Sequence, residues 1–222
     1  MKRVFIVAGI IVLTVILKGL TYGDGDWQYW NTESIKVNLK ENVGVYVEEE
    51  FRFGDGISKF YYQHSQIQLN FKINNWFTLA QAYRQIFELY TKSGTDDDWF
   101  TEYRAMLNGT IKWKWRDFKF KDRVRVAYRM FDIKKDEVWR FRNKLTIQTP
   151  WKWTSLNINP WIAEEIFLEE KKGIYRNRFY MGIKLKLMKH LEGDIFYLWQ
   201  TTEKGNHWID YNIFGTKIKV VF

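Results

Sequence analysis

From Trp27 onward the chain repeats one pattern, in which apolar and polar side chains alternate over segments of about 10 to 15 residues. In an extended chain successive side chains point to opposite faces, so a period of two specifies two-faced β-strands. The pattern predicts strands at Trp27–Leu39, Val43–Phe53, Phe60–Ile73, Trp76–Tyr90, Trp99–Trp113, Phe118–Met130, Val138–Ile147, Leu156–Leu168, Tyr175–Leu187, Leu191–Thr201 and Trp208–Phe222. Short polar or Gly-containing stretches separate them. No helical period and no linker interrupts the series.

The two faces differ sharply. In Tyr175–Leu187 one face reads Tyr175, Asn177, Phe179, Met181, Ile183, Leu185 and Leu187, and the other Arg176, Arg178, Tyr180, Gly182, Lys184 and Lys186. In Phe118–Met130, Phe120, Val124, Val126 and Tyr128, interrupted by Asp122, oppose Lys119, Lys121, Arg123, Arg125 and Arg129. Val138–Ile147 sets Trp139, Phe141, Leu145 and Ile147 against Arg140, Arg142 and Lys144. A soluble β-sandwich also alternates, but its strands are usually about 5 to 6 residues long. Aromatic residues are also abundant, with 12 Trp, 13 Tyr and 17 Phe. Trp76, Trp99, Trp113, Trp115, Trp139, Trp151, Trp153 and Trp208 fall near strand ends, where a transmembrane barrel carries its aromatic girdles. In lipid only a closed sheet satisfies every backbone group. The expected fold is therefore an all-β, antiparallel transmembrane β-barrel in the bacterial outer membrane, with lipid as its surroundings.

Short turns are expected near Asn74–Asn75, Arg116–Asp117 and Lys189–His190, and longer loops near Thr91–Asp98, Phe131–Glu137, Glu169–Ile174 and Glu203–His207. Eleven segments are visible, while bacterial single-chain barrels use even numbers. The expected count is about twelve strands, with ten and eleven left open. A further strand within Gly25–Leu39 would give twelve. A segment that does not span would give ten. Parallel closure around an N-terminus threading the lumen is a third arrangement.

Residues 1–23 read differently. Lys2 and Arg3 precede the uncharged apolar run Val4–Leu17, which is short for a spanning helix. A basic start followed by such a run is the pattern of a secretory signal peptide. Thr21 and Gly23 suit cleavage after Gly23, leaving 24–222 as the barrel; an uncleaved anchor is the alternative. Cleavage removes three basic residues and no acid, so the net charge falls from +9 to +6. Such a balance suits anionic surfaces or nucleic acid, and export argues against nucleic acid as a partner. Phe222 closes a series two residues apart with Val220, Ile218, Thr216 and Phe214, apolar but for Thr216, and is read as the signal by which the barrel assembly machinery recognises its substrates.

The motifs Glu48-Glu49-Glu50-Phe51-Arg52, Ala82-Tyr83-Arg84-Gln85, Glu102-Tyr103-Arg104, Arg123-Val124-Arg125, Glu164-Glu165-Ile166-Phe167, Asn177-Arg178-Phe179 and Tyr197-Leu198-Trp199-Gln200 recur in this order along the chain. In this the chain resembles a bacterial family known as domain of unknown function 2490, and the likeness covers nearly all of the expected mature protein. The resemblance implies an outer-membrane β-barrel and supplies no activity.

An outer-membrane lipid-modifying enzyme would need a Ser activated by a His on the same face. His64 and Ser65 are adjacent and therefore point to opposite faces, while His190 and His207 fall in a turn and a loop. Asp96, Asp97 and Asp98 read as a solvated loop, with a Ca²⁺ contact as the sharper alternative. There is no Cys, and no phosphate-binding or metal-spacing motif, so no cofactor is expected.

What remains is the inward face. Its expected basic residues are Arg52, Arg84, Arg104, Arg123, Arg125, Arg129, Arg140, Arg142, Lys144, Arg176, Arg178, Lys184 and Lys186; its acids are Glu48, Glu50, Glu102 and Glu165. Like charges 5 Å apart at an effective dielectric near 20 repel by about 3 kcal/mol, so this wall needs water, acid partners or bound anions. Two functions follow. One is a structural or closed barrel filled by Arg–carboxylate pairs. The other is a small anion-selective pore for acidic solutes.

Overall fold

Eleven strands form one closed sheet in the computed structural model, which describes residues 23–91, 97–154 and 157–222. The expected signal segment up to residue 22 lies outside the described residues, as do Asp96 and Leu156. The strands are β1 (Asp26–Asn38), β2 (Val43–Gly54), β3 (Lys59–Lys72), β4 (Phe77–Thr91), β5 (Asp97–Trp115), β6 (Phe118–Phe131), β7 (Val138–Gln148), β8 (Asn159–Glu169), β9 (Gly173–Met188), β10 (Leu191–Lys204) and β11 (His207–Val221).

The count is eleven rather than the expected twelve, because a single strand, β1, occupies the segment Gly25–Leu39. Each hairpin reverses the chain, so an odd number of strands leaves the first and last running the same way. β1 and β11 accordingly pair in parallel, from Asp26 opposite Tyr211 to Lys36 opposite Val221. The other junctions are antiparallel. Parallel pairing is slightly weaker per residue than antiparallel pairing, but here it removes both edges.

One end of the barrel, the turn end, carries the connections 39–42, 73–76, 116–117, 149–158 and 189–190; the other, the loop end, carries 55–58, 92–96, 132–137, 170–172 and 205–206. Two expected longer loops are short. The β10–β11 connection is a tight turn at Gly205 and Asn206 in place of Glu203–His207, and the β8–β9 connection is the three residues 170–172 in place of Glu169–Ile174; the β7–β8 connection at the turn end runs over 149–158. β8 begins at Asn159 because Trp153 and Ile158 bridge each other just before it.

The outward face is apolar over most of its height; Ile67 and Leu107 are half exposed there. Exposed Trp27, Trp99, Trp139 and Trp208 stand near the loop end, and Trp76, Trp113, Trp115, Trp151 and Trp153 near the turn end.

Inside, one ring of positions alternates aromatic and glycine across five strands: Trp161, Gly182, Phe196, Gly215 and Trp30 are successive cross-strand partners. A Cβ at Gly215 would lie 2.1 Å from the Phe196 ring. Glycine there lets the ring lie flat on the wall, the arrangement called aromatic rescue. These rings join Tyr180, Leu198, Tyr211 and Ile213 in an apolar cluster that fills one side of the interior.

One face assignment is also corrected. The β8–β9 register shifts between Phe167 and Leu168, so Tyr175 is an extra residue and turns inward, 5% exposed, with its ring against Phe167. Strict alternation had placed it outside with Asn177. A bulge of one residue breaks a period of two.

Candidate functional site

The inward-facing polar residues surround a cavity of about 1650 Å³. Its lining reaches Lys135 and Lys172 at the loop end and Arg116 and Lys152 at the turn end, so it runs the length of the barrel. Among the described residues, 25 basic side chains and 10 acidic ones line it. Every basic residue assigned inward from the sequence borders the cavity. So do Glu48, Glu50 and Glu165, while Glu102 lies behind Arg104 and Arg129, fully buried.

The wall is organised as three acid-centred groups. Residues two apart on a strand share a face, which brings Glu48, Glu50 and Arg52 together on β2. Arg52 Nε donates to Glu50 at 2.7 Å, and its guanidinium lies between the rings of Trp30 and Tyr62 at 3.7 and 3.9 Å. Arg84, across β3, donates to Glu48 at 3.1 Å and to Gln66 at 2.7 Å. His64 is fully buried between them, with Nε2 3.1 Å from Glu48 and Nδ1 3.1 Å from the Tyr62 hydroxyl.

The second group centres on Glu102. Arg104 Nη2 donates to it at 2.9 Å and Arg129 Nη2 at 2.8 Å. Arg129 also reaches Glu169 at 2.7 Å, and Arg140 reaches the same oxygen at 3.2 Å.

The third centres on Glu165, 1% exposed. Arg142 donates to its Oε1 at 2.6 Å and Arg123 at 3.4 Å. The Tyr180 hydroxyl donates to Oε2 at 2.8 Å, and Arg178 stands 3.7 Å away. Glu164 faces outward and accepts from Asn177.

Other cations are less well matched. Among the described residues Arg176 donates only to the Thr202 hydroxyl, at 3.1 Å. Lys184 and Lys186 stand opposite Asp194 and Glu192 on β10, and Glu192 is also paired by Lys219. At the loop-end rim, Lys171 donates to Asp136 at 2.5 Å, and its ammonium holds that carboxyl below its ordinary range.

Outside the charged set expected from the sequence lie Glu169, His64 and the lysines Lys217 and Lys219; Tyr180, on the expected inward face of its strand, adds a hydroxyl donor to Glu165. Glu169 had been given to a loop, but β8 runs through it. The others were legible by the same alternation, since each lies two residues from another inward position. Ser65 lies on the face opposite His64, whose ring nitrogens meet the Tyr62 hydroxyl and Glu48. Among the described residues no three metal-binding side chains gather; Asp97 meets Lys59, and Asp98 accepts from the Trp99 backbone N–H at 2.9 Å.

Comparison with known proteins gives two findings. The model of the family described as "Protein of unknown function (DUF2490)" matches residues 27–211. The crystal structure of the β-domain of the Bordetella autotransporter Brka superposes with a TM-score of 0.49 at 12% identity, covering 77% of this chain and 78% of that one. No curated protein matches the sequence.

Proposed function

We propose that this chain, which belongs to the DUF2490 family, is an outer-membrane β-barrel that passes small anions through a water-filled, arginine-walled lumen. The observation that carries the reading is the cavity, whose lining spans both ends and holds 25 basic side chains against 10 acids. Charged linings of one sign select ions of the other. The outer-membrane location is supported by the closed sheet and by exposed Trp residues near both of its ends. In this account residues 1–23 are the export signal, Phe222 marks the chain for the assembly machinery, and the acid-centred groups hold the wall rigid.

A second reading, a closed structural barrel, is favoured by one specific feature. The apolar cluster around Trp30, Trp161, Phe196 and Leu198 occupies part of the interior. Current through single molecules in a planar lipid bilayer separates the two. Discrete, reproducible conductance steps support the anion conduit. A silent but correctly folded barrel, identified by its altered gel migration before boiling, refutes it in favour of the closed form.

A further inference from the structure

The wall made by β6 and β7 carries positive charge that its acids do not match. Arg123 is directly opposite Lys144, and Arg125 directly opposite Arg142; all four border the cavity. Like charges in directly opposed positions destabilise a sheet. One carboxylate, Glu165, serves this block. Its Oε1 is shared by Arg142 and Arg123, and its Oε2 is engaged by Tyr180 and Arg178.

Arg125 is left over. It is 4% exposed, and its Nε donates to Asn108 Oδ1 at 2.5 Å. The residue lines the cavity, and its two terminal amino groups have no hydrogen-bond acceptor among the described residues. Arg142 Nε is likewise buried without a partner. The Lys144 ammonium rests on the Tyr180 ring at 3.3 Å and has no carboxylate of its own within ion-pair distance among the described residues.

We propose that Arg123, Arg125, Arg142 and Lys144 form an oxyanion-binding station within the lumen, for a soluble dianion with several oxygens such as inorganic phosphate or a phosphate monoester. The inference rests on the water-filled lumen and deepens it from general anion preference to a site. Guanidinium forks match pairs of anionic oxygens, which a spherical halide does not offer. A bound dianion also removes the repulsion between the opposed pairs, so the wall is most stable when the station is filled. Glu165 competes with the ligand for Arg123 and Arg142.

Calorimetric titration of the purified barrel in uncharged detergent micelles with inorganic phosphate tests this, because it reads binding whether or not the lumen conducts. The expected result is saturable binding, weakened at least tenfold by Arg125→Gln and by Lys144→Gln. Glu165→Gln should tighten it, and Lys40→Gln in the β1–β2 turn should leave it unchanged. Gel migration before boiling verifies that each variant is folded. Absence of saturable binding to the wild-type barrel overturns the proposal. So does phosphate affinity unchanged in both Arg125→Gln and Lys144→Gln, or displacement of phosphate by an equal concentration of chloride. A barrel that binds phosphate but passes no current refutes conduction and leaves the station standing. One that conducts without Arg125-dependent binding refutes the station alone.

Discussion

Glu102→Gln and Glu165→Gln remove the same charge from two differently wetted places, and their costs should differ. Glu102 is fully buried behind Arg104 and Arg129, whose side chains are 9% and 7% exposed. Removing its charge leaves Arg104 with no other carboxylate within ion-pair distance among the described residues, while Arg129 keeps Glu169. A 4 Å pair at an effective dielectric near 20 is worth about 4 kcal/mol. Breaking a buried pair costs about 3–5 kcal/mol, and that is the loss expected for Glu102→Gln. Glu165 is as deeply buried, and its partners Arg142 and Arg178 have side chains 11% and 6% exposed, but its third guanidinium partner, Arg123, is 27% exposed to the cavity. Water there solvates the freed guanidinium, so the loss should be only about 1–2 kcal/mol, within the range of a partly solvated charged hydrogen bond. Urea unfolding of each variant from phospholipid vesicles, followed by Trp fluorescence, measures both. Equal losses, or a larger loss for Glu165→Gln, would refute the reasoning, since both would mean that water does not reach the β6–β7 wall.

Three further outcomes follow. Gly215→Ala places a Cβ 2.1 Å from the Phe196 ring and should cost about 3 kcal/mol, largely recovered by adding Phe196→Leu; additive losses in the double-mutant cycle would show that the ring is not the obstacle. Glu33 and Glu49 are directly opposed on the outward face, and Glu49 Oε2 is buried without a partner. Glu49→Leu should therefore stabilise the barrel in vesicles by about 1–2 kcal/mol, and a loss of stability there would place that face away from lipid. Deleting Phe222 should slow insertion into outer membranes in pulse-chase fractionation, and insertion at the wild-type rate would remove its role as an assembly signal.

The strands were legible because outward-facing and inward-facing positions of a closed sheet differ in polarity and so alternate strongly along each strand. Val43–Phe53 and Phe118–Met130 each fall within one residue of the observed strand ends. The closure stayed one of three open arrangements, because a parallel β1–β11 seam has no turn to announce it. Alternation also assigned Arg123 and Glu165 to one face, but it could not say that Glu165 serves Arg123, Arg142 and Arg178 together. Partner choice depends on register across three strands, and a register is set by hairpin geometry rather than by any single segment. Tyr175 shows the same limit, since one bulged residue reverses a face without changing the local pattern. Whether the centre is filled depended on how Trp30, Phe196 and the inward glycines pack, which is a matter of volume rather than of pattern.

The central claim is that mobile anions cross this lumen past a wall richer in Arg and Lys than in acid. Reversal potential under a tenfold potassium chloride gradient across a planar bilayer tests it most directly. Anion selectivity predicts a reversal potential displaced from zero toward the chloride equilibrium potential, and further displaced by Glu165→Gln. A reversal potential at zero or displaced toward potassium, in channels formed by the folded barrel, would contradict it.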